Sequence, residues 1–254
     1  MRPRVLLPAM GLVVALAAGC SGDSSADRAP GDPVTRQDAE ALAQLLHRNF
    51  TRGGADFVIT APYGEDTVLT LTGAVDFRHE TGRAQAVTTF GDGRADDIRT
   101  LVFTHEDLWI GDVPGLTGAL AESGVQGTYL HRALTAGDEG VTPPLVDALL
   151  EVLLNLASPT ADDPRSFVGA GYTWEGQRSI DSRLTSLFGL EDGRTVAVAA
   201  SDDLLTQFLT PLAGGEVDVT VTLSQHGPRT VAGPDPEQAA EAADHPEIAA
   251  AFGI

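Results

Sequence analysis

The residue with the most distinctive chemistry is Cys20, the only cysteine in the chain. It ends the run Leu12–Cys20, L-V-V-A-L-A-A-G-C, which follows Arg2 and Arg4. A basic n-region, an apolar h-region and a small-residue site in that order make a secretion signal over residues 1–19. Small side chains at Ala17, Ala18 and Gly19 let the backbone lie extended in a peptidase groove. The Cys20 thiol is a soft nucleophile that can take a diacylglyceryl group as a thioether. Cleavage between Gly19 and Cys20 then leaves a lipidated cysteine as the mature N-terminus. The apolar run is too short and too Gly-interrupted for a membrane span, which needs about 20 apolar residues, and a plain secretory signal has no need of Cys20. The expectation is a protein on the extracytoplasmic side of the cell membrane, held there by a lipid anchor. A single acyl chain binds marginally and two or three bind stably.

No other grouping of reactive residues forms a site. The sequence has no G-x-S-x-G elbow, no P-loop, no G-x-G-x-x-G after a strand and no H-E-x-x-H. With Cys20 modified, no thiol remains for a disulfide or a thiolate metal site. The six histidines are scattered, none four residues from another. Asp92, Asp96 and Asp97 lie in G-D-G-R-A-D-D, but Arg94 and Ala95 interrupt the alternate oxygen ligands a Ca²⁺ loop requires, so the segment reads as a hairpin turn. No nucleophile–base set, metal or cofactor is expected, and no enzymatic activity.

The formal charge is −20 over 254 residues, and all the basic residues are arginine. Removing Arg2 and Arg4 makes the mature chain more negative by two charges. Such a surface excludes nucleic acid, which needs a basic stripe, and excludes electrostatic docking on anionic headgroups. The length suits one domain with a real core.

Ser21 to Pro33 is polar and rich in Pro and Gly and reads as a solvated tether, so residues 20–34 form the lipidated N-terminus and its linker. Thr35 and Asp38 give a capping signature for a helix bearing Leu42, Leu45, Leu46 and Phe50 at helical spacing, stopped by Gly53-Gly54. From Ala55 the period is two. Ala55, Phe57 and Ile59 share one face of a first strand. Leu69, Leu71, Val75 and Phe77 share one face of Thr67 to Arg78, with Gly73 marking a bend or bulge. Arg83 to Phe90, Ile98 to Thr104 and Asp107 to Ile110 complete an antiparallel meander. Leu116 to Glu122 reads as a short helix and Gly124 to Gly140 as irregular. A second group of strands follows over 182–188, 194–200, 204–209 and 216–224, and a short one over 230–232. The segment 234–254 reads as a surface helix or loose tail.

Thr142 to Ala157 is unusual. Thr142 and Pro143 suit a helix start, and the only polar residues in the body, Asp147, Glu151 and Asn155, form one narrow stripe. A helix this apolar needs cover on most sides. Its Leu149, Leu153 and Leu156, with Phe57, Ile59, Leu69, Leu71, Val75, Phe77, Leu101 and Phe103 on the strands, are either an ordinary packed core or the wall of a dry cavity. Acyl chains make no directed bonds and require only apolar surface, so such a wall suits them. Trp109 and Trp174 are candidates for a cavity mouth. The layout implies an α+β fold, a curved antiparallel sheet with helices packed on its concave face.

Several stretches carry a resemblance. The end of the signal, A-A-G-C, looks like the lipobox of bacterial lipoproteins, with Leu16 one place further upstream than usual. Together with G-G-A-D-F, L-T-L-T-G-A-V-D-F-R and V-D-V-T-V-T-L-S-Q-H-G-P-R-T-V-A-G-P, it resembles the actinobacterial LppX/LprG-type lipoproteins, which are similar in fold to the LolA and LolB carriers. The resemblance implies a half barrel over residues 35–233 enclosing a hydrophobic cavity for acyl chains of envelope lipids, for carriage or transfer across the envelope. Ser166 to Leu190 does not match that pattern. The expected ligand is a lipid or other apolar small molecule; an envelope transporter or partner protein is not identified by any motif. The alternative is a scaffold lipoprotein with a filled core that engages a partner protein.

Overall fold

The computed structural model describes residues 28–135, 137, 142–190, 192–212, 215 and 217–254. The signal, Gly19 and Cys20 lie outside the described residues. Two helices come first after a two-residue strand, β1 (Asp32–Pro33): α1 (Arg36–Ala43) and α2 (Leu45–Arg52). Five strands follow: β2 (Gly54–Tyr63), β3 (Thr67–Asp76), β4 (Thr81–Phe90), β5 (Asp97–Phe103) and β6 (Asp107–Gly111). Then come α3 (Leu116–Glu122), β7 (Tyr129–Ala133) and α4 (Leu145–Leu154). The second group is β8 (Thr173–Ile180), β9 (Arg183–Gly189), β10 (Thr195–Ala199), β11 (Leu205–Leu212) and β12 (Val217–Ser224), and the chain ends with β13 (Ala239–Glu241) and α5 (Pro246–Ala251).

All the strands belong to one sheet, in the order β1-β8-β9-β10-β11-β12-β2-β3-β4-β5-β6-β7-β13. Two meanders, β2–β7 and β8–β12, meet where β12 pairs antiparallel with β2, Val221 opposite Ile59 and Leu223 opposite Phe57. Every pairing is antiparallel except that of β13 with β7. The sheet is open and curved. One continuous buried cluster runs along its covered face, from Trp174 on β8 to Ile110 on β6.

One face carries the core, and the period-two pattern places the side chains on it. Ala55, Phe57, Ile59 and Ala61 of β2 are buried beside Leu69, Leu71 and Val75 of β3 and Val219, Val221 and Leu223 of β12. Leu42 and Leu45 of the first two helices and Leu149, Leu150 and Leu153 of α4 join the same cluster. Phe57 and Phe103 meet edge to face, centroids 6.4 Å apart. The Phe103 ring lies over Gly82, where an added Cβ would sit 2.1 Å from it.

Local chemistry explains the element ends. Thr35 and Asp38 form the expected capping box, and Gly53 ends α2 at φ 97°, a left-handed conformation that glycine adopts without penalty. The single helix expected over this region is broken at Gln44. Gly73 is not a bulge: β3 and β4 stay in register through it. A Cβ there would lie 2.0 Å from the Arg83 carbonyl oxygen, so the residue permits close strand approach. The apolar helix starts at Leu145, later than expected, with Pro144 as its N-cap and no side-chain cap from Thr142.

Further regions differ from the sequence expectation, β8 among them, since the second strand group is expected to start only at Ser182. The tether is not free to Pro33. The Gly31 amide donates to the Trp174 carbonyl at 2.9 Å, Asp32 and Pro33 pair with β8, and Arg28 sits 4.8 Å over the Trp174 ring and ion-pairs with Asp38 at 3.0 Å. Tyr129–Ala133, expected to be irregular, is β7. The short strand expected at Thr230 to Ala232 does not form. The C-terminal segment is neither loose nor a plain surface helix: β13 covers the β7 edge, and Ala240, Ile248 and Ala249 pack with Leu116, Leu120 and Leu130 in a second cluster.

The polar stripe of α4 is split by burial. Asp147 is buried and accepts from Arg132 at 2.7 and 2.6 Å and from the Thr135 amide at 2.8 Å, tying α4 to the end of β7. Glu151 and Asn155 are exposed. Removing one member of a buried ion pair leaves the other uncompensated. Arg132 itself keeps some solvent access, so Asp147→Ala is expected to destabilise the fold by about 1–3 kcal/mol, read as a lowered midpoint in urea unfolding, whereas Glu151→Ala shifts the midpoint little.

Candidate functional site

A cavity of about 350 Å³ lies between the first two helices, the end of α4 and strands β10 and β11. Leu42, Leu45 and Leu46 form one side, where the apolar stripe of α1 and α2 overhangs the sheet. Val196 and Phe208, cross-strand partners on β10 and β11, form the floor with Leu205. Val152 and Leu156 supply the α4 side, and Phe167, Tyr172 and Leu190 close the far wall. Phe167 and Tyr172 pack ring against ring, centroids 5.1 Å apart.

The wall after α4 is irregular chain, and hydrogen bonds fix it to the helices. The Ser158 amide donates to the Leu46 carbonyl at 3.1 Å and the Asp162 amide to the Ala43 carbonyl at 2.9 Å. Asn49, buried in α2, donates its side-chain amide to the Leu156 carbonyl at 2.7 Å and so caps the α4 end; its Oδ1 has no partner among the described residues. These bonds set the spacing between helix and wall, and with it the width of the cavity.

The rim is polar. Asn155 and Asp162 are exposed, and Arg194 is half-exposed and ion-paired with Asp192 at 2.7 Å. Burial pushes the Tyr172 hydroxyl pKa up, Arg194 pulls it down, and Asp192 and Asp162 push it up again. Tyr172 is therefore a neutral hydrogen-bond donor at neutral pH. An apolar interior with a few polar groups at the mouth is the usual make-up of a small-molecule site, and the volume is at the lower end of the roughly 300–1,000 Å³ range.

The structure divides the residues singled out from sequence. Leu156 lines this cavity. Leu69 and Leu101 line a second recess of about 270 Å³, bounded by Leu145, Val146 and Gly253. Phe57, Ile59, Leu71, Val75, Phe77, Phe103, Leu149 and Leu153 line neither; they are filled core. The physical reason is that the large side chains of β2–β5 and the α4 leucines fill the space between them. Neither tryptophan lines the cavity: Trp109 stacks on His131, and Trp174 lies under Arg28. Apart from Leu156, every lining residue is new: Leu42, Leu45 and Leu46 read as an ordinary helix face, Val196, Leu205 and Phe208 as an ordinary strand face, and Phe167, Tyr172 and Leu190 lie in the Gly-interrupted stretch that matches no pattern. The one sequence signal of these last three is a bulky apolar side chain with no periodic neighbour.

Among the described residues, no group of three or more His, Cys, Asp or Glu is placed to hold a metal ion, and no helix is long and apolar enough to cross a membrane. Asp92 accepts from the Arg94 amide and Asp97 engages Arg99.

One polar cluster stands apart from the cavity. His131 on β7 bonds Asp107 of β6 through Nε2 at 2.9 Å and Glu241 of β13 through Nδ1 at 2.8 Å, and it stacks on Trp109 at 4.9 Å. Burial lowers its pKa, but the hydrogen bonds and negative charges of Glu241 and Asp107 outweigh that and raise it overall. His226, past β12, is shifted the opposite way, by burial first and then by the Arg183 charge.

No family model matches the chain, and no curated protein matches it. Solved structures do align with it. LprF from Mycobacterium bovis is 13% identical, covering 81% of this chain and 99% of that one, with a TM-score of 0.45. The LolA superfamily protein NE2245 from Nitrosomonas europaea is 11% identical over 78% of this chain and 96% of its own, at 0.28. The Pseudomonas aeruginosa MucA/MucB complex is 13% identical over 80% of this chain and 59% of that one, at 0.31. Likeness at this level identifies neither ligand nor activity.

The histidine cluster yields a pH dependence. A folded pKa above the unfolded value of 6.5 stabilises the fold fully below that value, and the contribution is lost as pH rises through the folded value. Wild type should exceed His131→Gln in stability by on the order of 1 kcal/mol at acid pH. The difference should narrow as pH rises past neutrality, measured by thermal melts of both proteins across that range.

Proposed function

We propose that this protein is an envelope lipoprotein, lipidated at Cys20 and held to the extracytoplasmic face of the cell membrane, that binds a lipid or other apolar ligand for carriage or transfer. The observation that carries the ligand reading is the apolar cavity of about 350 Å³ with its polar rim. Binding would be driven by removing hydrocarbon from water, at about 0.8 kcal/mol per buried CH₂, and needs no bond-making step. The sequence support is the signal ending in Ala17-Ala18-Gly19-Cys20 and the resemblance to the LppX/LprG-type lipoproteins. The open curved sheet is compatible with the LolA-like half barrel that the resemblance implies, with helices on its concave side.

A second reading, a scaffold that engages a partner protein, draws on the filled core under β2–β5. It leaves the hollow under β10 and β11 without a role.

The full chain, extracted from membranes and delipidated, should form a one-to-one adduct with added phospholipid in native mass spectrometry. The absence of both an adduct and co-purified lipid would overturn the ligand reading. Separately, Cys20→Ser should move the protein from the membrane pellet to the soluble fraction; a variant that still sediments with membranes would remove the anchor from the account.

A further inference from the structure

We propose that the cavity takes a single-chain zwitterionic phospholipid, such as a lysophosphatidylethanolamine, in preference to a two-chain lipid or a free fatty acid. This rests on reading the cavity as a lipid site and names the class of lipid.

The first argument is volume. At about 30 Å³ per methylene-sized group, the share of a water in the liquid, a cavity of about 350 Å³ holds on the order of a dozen chain carbons. That is most of one acyl chain. A second chain finds no comparable space: the recess at the start of α4 shares no lining residue with this cavity, and the one that meets it, at Asn155, holds only about 190 Å³ and carries His105, Asp147 and Glu151.

The second argument is the charge at the mouth. The rim brings one guanidinium, Arg194, together with two carboxylates, Asp162 and Asp192. Neutral hydrogen-bonding groups complete it, the Tyr172 hydroxyl and the Asn155 amide. A head that is only anionic meets a rim with a net negative charge, on a chain whose formal charge is −20. A head carrying both a phosphate and an ammonium matches both signs. The phosphate accepts from Arg194, Tyr172 and Asn155, and the ammonium faces Asp162 and Asp192. Arg194 is the specificity residue in this arrangement. Its backbone carbonyl accepts from the Leu190 amide at 2.9 Å and its side chain is half-exposed, so replacing the side chain leaves the core intact.

The test uses the delipidated full chain in native mass spectrometry, titrated with palmitoyl lysophosphatidylethanolamine, palmitate, dipalmitoyl phosphatidylethanolamine and hexadecanol. The lysophospholipid should bind at least about tenfold more tightly than palmitate or the two-chain lipid, the scale of one charge-assisted contact. Arg194→Gln should weaken the lysophospholipid by about that factor and leave hexadecanol unchanged. Val196→Phe, which fills the floor, should weaken both. Tighter or equal binding of the two-chain lipid or of palmitate, or wild-type lysophospholipid affinity in Arg194→Gln, overturns this inference while the lipid-binding reading stands. No adduct with any of the four probes overturns both.

Discussion

Backbone pairing between β12 and β2 is the constraint on which the rest of the structure depends. Each meander can form from local hairpins, but only the ladder from Thr220–Ser224 to Asp56–Thr60 joins them into one sheet. It also sets the register at the centre of the core, where Val221 and Leu223 lie beside Ile59 and Phe57. A slip of one residue would turn Val219, Val221 and Leu223 to the outer face. The partners are far apart in sequence, so the closing step is a long-range one whose loop entropy must be met before the contacts form.

Joining the meanders produces a sheet with two unequal halves. Under β2–β5 the large rings of Phe57 and Phe103 meet small residues on β4, Gly82, Ala84 and Ala86, and α4 presses three fully buried leucines, Leu149, Leu150 and Leu153, into the same cluster. Large against small is how facing surfaces interdigitate to full density. Under β10 and β11 the cover comes from two short helices and an irregular wall whose position is fixed by the carbonyls of Ala43 and Leu46 and by Asn49. Cover of that kind follows the backbone bonds and does not collapse onto Val196 and Phe208. The hollow therefore lies where backbone bonding, rather than side-chain volume, sets the separation.

The meanders were largely legible because alternation is a strong signal where one face is buried, as in Val217–Ser224 and Thr67–Asp76. The helix caps at Thr35 and Gly53 were legible for the same local reason. The site was not. An apolar face reads the same whether it is packed or hollow, so the sequence could not separate Phe57, which is core, from Phe208, which is cavity floor. The wall residues Phe167 and Tyr172 sit in a segment without periodicity, held by main-chain bonds that leave no residue-type signature. The strand β7 was missed because Gly124 and Gly127 precede it in a weakly patterned stretch, and its burial of Leu130 depends on α3 and the C-terminal segment.

The pinned end of the tether has a consequence for geometry at the bilayer. Beyond Pro33 the chain stays beside the cavity wall: the Val34 amide donates to the carbonyl of Tyr172, whose side chain lines the cavity. With an acyl group on Cys20, the leash from there to Arg28 reaches at most about 30 Å, at roughly 3.6 Å per residue. Under the proposed lipidation the mooring would attach at Arg28, over Trp174 and beside the start of α1. The folded body would then stay within that one leash length of the bilayer, and a ligand exchanged with the membrane would have only that short distance to cross.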